Sequence, residues 1–288
     1  MRKIWGVARL RFRQLLSSIR LPVVLALVLL YLLGAYQPLR RIAAATEMGI
    51  TPYPIVFLLC DQSGQMTLCA LSLALFSNAP FRDEMNDLIA ARSGRAAMAA
   101  GNCLYILMTA VGYVLMLLVM QALISLPYLS LEADWGGMLR AITVNLIPEG
   151  VMPVFYPNSW VMAQFSPLRA LACSCALETL CVFLLGLIVY LGNRLSRRPV
   201  GLWCAGALVV LDITIYNIFY DSWSRYSPLG LARLGLYQST TLAHGFSFFF
   251  ITSAIIVILL VLIEKYAPKL GLIRPSGLKR SVAHERNG

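Results

Sequence analysis

Six stretches of this chain, at about 21–37, 53–77, 98–126, 171–193, 200–220 and 243–263, are apolar over roughly the 20 residues that a helix needs to cross a bilayer. No other feature restricts the fold as much. Inside hydrocarbon every backbone polar group must be satisfied by the chain itself, which leaves helices or closed barrels. Continuous runs of this length suit helices. The totals agree: 59% of the 288 residues are hydrophobic and 13% are charged, where a soluble domain has about a quarter charged. Mean hydropathy is +0.74. The expected fold is an all-α polytopic membrane protein with six transmembrane helices, forming one transmembrane domain over 1–288.

Six spans place both termini on one side, and the basic residues say which. With the termini in the cytoplasm, 18 of the 24 Lys and Arg fall on internal segments and six on external ones. Positive charge gathers on cytoplasmic loops, so this orientation is expected. Arg40-Arg41 is the one pair against it. The net charge of +11 lies beside apolar runs as a topology signal, and no basic face with interleaved aromatics points to nucleic acid. A cleaved leader ending near Ala43-Ala44-Ala45 is disfavoured, because the basic segment before the first run is twenty residues long and amphipathic.

In that segment, residues 1–20, Ile4, Ala8, Phe12, Leu15, Leu16 and Ile19 recur at helical spacing, while Arg2, Arg9, Arg13 and Arg20 occupy another face. The pattern predicts an interfacial helix among anionic lipid head groups. External segment 127–170 contains five prolines, which exclude a long straight helix, and Trp135, Tyr156 and Trp160 suit an interfacial aromatic belt. Leu229, Leu231, Leu234 and Leu236 predict a short helix half-sunk in or re-entering the membrane, with a plain interfacial loop as the equal alternative. Residues 264–288 read as an irregular cytoplasmic tail.

Few motifs carry chemistry. No H-E-x-x-H, G-x-S-x-G or G-x-x-x-x-G-K-[ST] pattern occurs, so catalytic residues, a metal site and a cofactor bound by this chain are not expected. The seven cysteines lie in apolar runs and read as small hydrophobes. Three acids do lie at membrane depth, Asp61, Glu178 and Asp212. Buried acids are costly there and mark cavities, pathways or partners. Asp61, Gln62, Ser63 and Gln65, together with Glu178 and Asp212, are the candidate lining of a translocation path. Against this stands an interhelical hydrogen-bond network, which is the stronger reading for the isolated Glu178 and Asp212.

The connection after the second span, PFRDEMNDLIAARSGR, is a further oddity. Ser77 or Asn78 can cap a helix here, Pro80 suits its first turn, and Asp83 and Glu84 complement its positive end. Phe81, Met85, Leu88 and Ile89 form an apolar stripe, with Arg82, Asp83, Asn86 and Asp87 elsewhere. Three basic residues would suffice to set topology, so the acids call for another explanation.

The N-terminal amphipathic helix, the six spans and this charged connection together resemble an ABC-2 type permease, the membrane subunit of a bacterial ABC exporter. The likeness covers nearly the whole chain by layout rather than by a strict motif. It implies that Phe81, Arg82, Asp83, Glu84, Met85, Asp87 and Leu88 form a coupling helix on a separate ABC ATPase, which holds the ATP and Mg. It also implies pairing with a second copy or a related permease, location in the bacterial cytoplasmic membrane, and export of a peptide, lipid-like or drug-like substrate. The polar DQSGQ sequence departs from a generic second span. Two rivals remain: an ion- or proton-coupled carrier using Asp61 and Glu178, and a non-transporting immunity or sensor protein.

Overall fold

The computed structural model describes residues 1–79, 86–148, 150–196, 198–219, 223, 226–238 and 240–266. These residues are helical with no strand; the nearest to one is an isolated bridge between Ile50 and Leu129. Five helices are long and apolar enough to cross a membrane: α2 (Arg20–Thr46), α6 (Arg95–Ser125), α9 (Pro167–Ser196), α10 (Val200–Phe219) and α12 (Leu242–Tyr266). They make the chain a multi-pass, all-α architecture.

The second expected span is not one rod. It is divided into α3 (Pro54–Cys60) and α4 (Gln62–Leu73, extended by a 3-10 turn to Phe76), and the two parts meet at 86°. The cause is local. Asp61 adopts an extended backbone (φ −72°, ψ 136°), which ends α3, and its side chain then caps α4 by accepting from Gly64 N at 2.9 Å. The bend brings Leu58 O to within 2.3 Å of where a Cβ on residue 64 would stand, so only glycine fits there.

α6 and α9 form the axis of the bundle. They bury 44% and 56% of their most apolar stretches, against 17% for α12. Around them pack α2, α4, α10 and α12. The outward side chains are also apolar, including Phe250, Ile251, Ile255 and Ile258 on α12 and Val111, Leu115 and Val119 on α6. A surface of this kind suits lipid rather than water.

The N-terminal segment forms α1 (Arg2–Leu16), which ends at Ser17 and turns into α2. One side of it docks on protein, which the amphipathic period alone does not specify. Val7, Ala8 and Leu15 are buried against protein, α1 runs along α6, and Gly101 of α6 leaves room for Val7 and the Ile4 carbonyl. Leu16 and Ile19, expected on the apolar face, are 57% and 81% exposed. Their exposure leaves one apolar side of the segment open, while α6 covers another. Before α6 lies α5 (Asn86–Ser93), and Gly94 separates the two with φ 85°, a left-handed value that favours glycine. Residues 80–85 of the expected coupling helix, and thus Phe81, Arg82, Asp83, Glu84 and Met85, lie outside the described residues; Asp87 and Leu88 fall on α5.

At the opposite end of α6, Gln121 ties three elements together. Its Oε1 accepts from Tyr36 Oη at 2.5 Å and from Ile55 N at 3.1 Å, while its Nε2 donates to Pro52 O at 2.7 Å. One side chain thereby satisfies the start of α3 and links α2 to α6. Among the described residues, segment 127–170 holds the end of a 3-10 turn (Leu126–Tyr128), the short helices α7 (Gly137–Thr143) and α8 (Ser159–Gln164) and the first residues of α9, in keeping with its prolines. Trp135 does not join a lipid-facing belt. It is 4% exposed, packs at 5.1 Å from the Phe57 ring, and donates from Nε1 to Met162 O. The leucine-rich segment forms α11 (Pro228–Ala232) and a 3-10 turn, Leu234–Gln238. Leu229, Leu231 and Leu234 are fully buried, so this segment sits inside the bundle, packed on α9, rather than half-sunk at an interface.

Candidate functional site

The break at Asp61 opens onto a cavity of about 390 Å³ at the end of the bundle opposite α1. Its floor is the joint itself: Cys60, Asp61, Gln62 and Ser63. Its walls come from α10 (Tyr216), from the loop before α8 (Tyr156, Asn158) and from the turn after α11 (Arg233, Gln238). The floor lies where α3 and α4 meet at 86°, and the cavity is reached from one end of the bundle.

Asp61 owes its position to capping. Its Oδ2 accepts from Ser63 Oγ at 2.5 Å and from Gly64 N at 2.9 Å. These bonds, with the positive end of the α4 dipole, hold the carboxylate at the floor. Arg233 stands in the wall, only 4% exposed. Its Nη2 lies 3.2 Å from both oxygens of Asp212, its guanidinium is 5.4 Å from the Tyr216 ring centroid, and Ser227 Oγ donates a short hydrogen bond to Asp212 Oδ1. A charge buried at this depth requires such a partner. The pair is not saturated: among the described residues the buried Arg233 Nη1 finds no hydrogen-bond acceptor, nor does the buried Gln62 Nε2, and both residues contribute to the lining of the cavity.

One turn further along α4, the other polar candidates form a separate, closed cluster. Gln65 Nε2 donates to Glu178 Oε2 at 2.6 Å, and both residues are wholly buried. Cys69 Sγ lies 3.8 Å from Glu178 Oε1 and 4.0 Å from Cys181 Sγ. This cluster bolts α4 to α9. Of the six expected path residues, Asp61, Gln62 and Ser63 line the cavity and Asp212 braces its wall from behind. Gln65 and Glu178 face each other inside the protein. Arg233 and Tyr216 were not singled out in the sequence. Arg233 had a signal nonetheless: an acid at membrane depth needs a cation, and Arg233 stands among leucines in the segment that follows Asp212.

Elsewhere, Arg194 and Glu264 pair through two contacts (Nε to Oε1 2.5 Å, Nη2 to Oε2 2.8 Å) and clamp α9 to α12. Among the described residues, no group of three or more His, Cys, Asp or Glu is arranged to hold a metal. No family model matches the chain, and neither the curated proteins nor the solved structures provide a match.

Proposed function

We propose that this chain is the membrane-spanning permease subunit of an exporter, moving its substrate through the cavity above the broken second span with energy from a separate ATPase subunit. The observation that carries the transport half of this reading is the break itself. A helix interrupted at membrane depth, with polar side chains turned into a cavity, is how membrane proteins expose backbone and side-chain groups to a substrate without exposing them to lipid. The ATPase half rests on the likeness of PFRDEMNDLIAARSGR and its surroundings to an ABC-2 permease. The bent pair counts as the sixth span, the termini lie in the cytoplasm, and the cavity opens outward. The host membrane is the bacterial cytoplasmic membrane, and a second permease completes the path.

The test is direct. The tagged chain, extracted in mild detergent from its own host, is expected to retain a MgATP-hydrolysing subunit. Reversing Asp83→Lys and Glu84→Lys together should abolish that retention without lowering the amount of chain in the membrane. An ATPase that never accompanies the wild-type chain overturns the permease reading.

One observation favours a second reading. Among the described residues Glu178 has amide and thiol neighbours but no cation, as a proton-binding carboxyl of a coupled carrier would. That carrier would transport without any ATPase, and Glu178→Gln would leave it unable to respond to a proton gradient.

A further inference from the structure

The cavity at the helix break has a charge pattern that selects its ligand. Arg233 and Gln62 both line the cavity, and among the described residues neither Arg233 Nη1 nor Gln62 Nε2 has an acceptor. Buried donors left this way are costly, so a ligand whose acceptor oxygens draw these two side chains toward the cavity satisfies them. A guanidinium with one edge already on a carboxylate still presents a fork edge for another oxyanion.

A simple anion does not fit the remainder of the site. The Arg233 charge is already balanced by Asp212 at 3.2 Å. Among the described residues the other formal charge in the lining is the Asp61 carboxylate, so together with Asp212 and Arg233 these groups carry about one net negative charge. An anion alone would meet that charge with nothing to offset it. A ligand with an oxyanion at one end and an ammonium at the other satisfies both sides. The rings of Tyr156 and Tyr216, 53% and 37% exposed and both in the lining, add faces that attract a cation.

The geometry points to a zwitterion site: an oxyanion held by the side chains of Arg233 and Gln62, and an ammonium held by Asp61, within the same 390 Å³ cavity. A short peptide and the head group of phosphatidylethanolamine share this chemistry. The inference names the substrate class of the permease and rests on that reading for the word substrate, but the binding it describes needs neither nucleotide nor partner.

Binding is measured on the purified full chain in nanodiscs of phosphatidylcholine, by calorimetry or by intrinsic tryptophan fluorescence. One arm uses alanyl-alanine, its N-acetyl form and its C-terminal amide. The other uses short-chain phosphatidylethanolamine and its N-acetyl derivative. In at least one arm the intact zwitterion should bind, and blocking its amine should weaken binding tenfold or more; in the peptide arm the amide should do the same. Asp61→Asn, which retains the helix cap, should erase the preference for a free amine and leave the preference for the free carboxylate. Gln62→Leu should weaken oxyanion recognition several-fold and leave the amine preference. Both variants avoid the buried ion pair and keep the protein folded, as thermal melts will verify. Blocked and intact forms binding equally, or no binding in either arm, overturns the inference. Zwitterion binding without an associated ATPase removes only the permease reading; ATP-driven transport with no amine or oxyanion preference removes only the zwitterion site.

Discussion

The Asp212–Arg233 pair shows how a few atoms can both stabilise and restrict a membrane protein. Each charge is buried, and neither is tolerable without the other. Arg233→Gln should therefore destabilise the protein by about 3–5 kcal/mol, because it leaves the Asp212 carboxylate uncompensated. The double variant Asp212→Asn with Arg233→Gln should recover part of that loss; thermal unfolding in detergent reads both. A double variant no more stable than the single one would show that the pair is not the cause. Gln121 is a second such point. Replacing it by Leu strands the Ile55 amide and the Tyr36 hydroxyl, and the cost should be about 1–3 kcal/mol per group left unsatisfied. Tyr36→Phe alone should cost less, since it removes a donor and leaves Gln121 bonded to the backbone. Residues of this kind were only half legible in the sequence. Asp212 was visible as an acid in an apolar run, while its partner, 21 positions later, was hidden among external charges because pairing is a tertiary event.

The elements were legible wherever the apolar period decided them. α2, α6, α9, α10 and α12 fall where the long apolar runs fall, since length and hydrophobicity alone specify a membrane helix. The broken span was legible only as an anomaly. DQSGQ announced polarity at the right place, but the 86° bend needs Asp61 as cap and Gly64 as the one residue able to lie against Leu58 O. Gly64→Val should accordingly disrupt the α3–α4 joint and with it the cavity: ligand binding should fall at least tenfold, while Gly112→Ala, at an open position, should bind as the wild type does. The amphipathic period of residues 1–20 specifies the helix α1 itself, but its docking on α6 is not written there. Small residues on α6, Gly101 above all, let it sit on protein, and nothing within residues 1–20 reveals that. Gly101→Leu should undock α1, detectable as faster proteolysis after Arg9 or Arg13 with the remaining spans intact. The burial of Trp135 and of the Leu229–Leu234 segment was missed for the same reason, since both depend on neighbours distant in sequence.

For the molecule as a whole, the parts form a bundle with two unlike ends. At one, α1 lies along α6, and the Arg194–Glu264 clamp joins α9 to α12. At the other, Tyr216 of α10, the loop before α8 and the turn after α11 surround a polar cavity whose floor is the α3–α4 joint. The excess of Lys and Arg on one set of connections is the basis for proposing that the α1 end faces the cytoplasm and the cavity faces outward. The central claim is that the broken span is the floor of an outward-opening cavity, and cysteine accessibility tests it most directly. The seven native cysteines are first replaced, and single cysteines are then introduced by Gln62→Cys, Gln238→Cys and Ser17→Cys. A membrane-impermeant maleimide added to intact cells should label positions 62 and 238, with position 17 labelled only after the membrane is opened. Labelling of position 17 in intact cells, with positions 62 and 238 reached only after opening, would contradict the account.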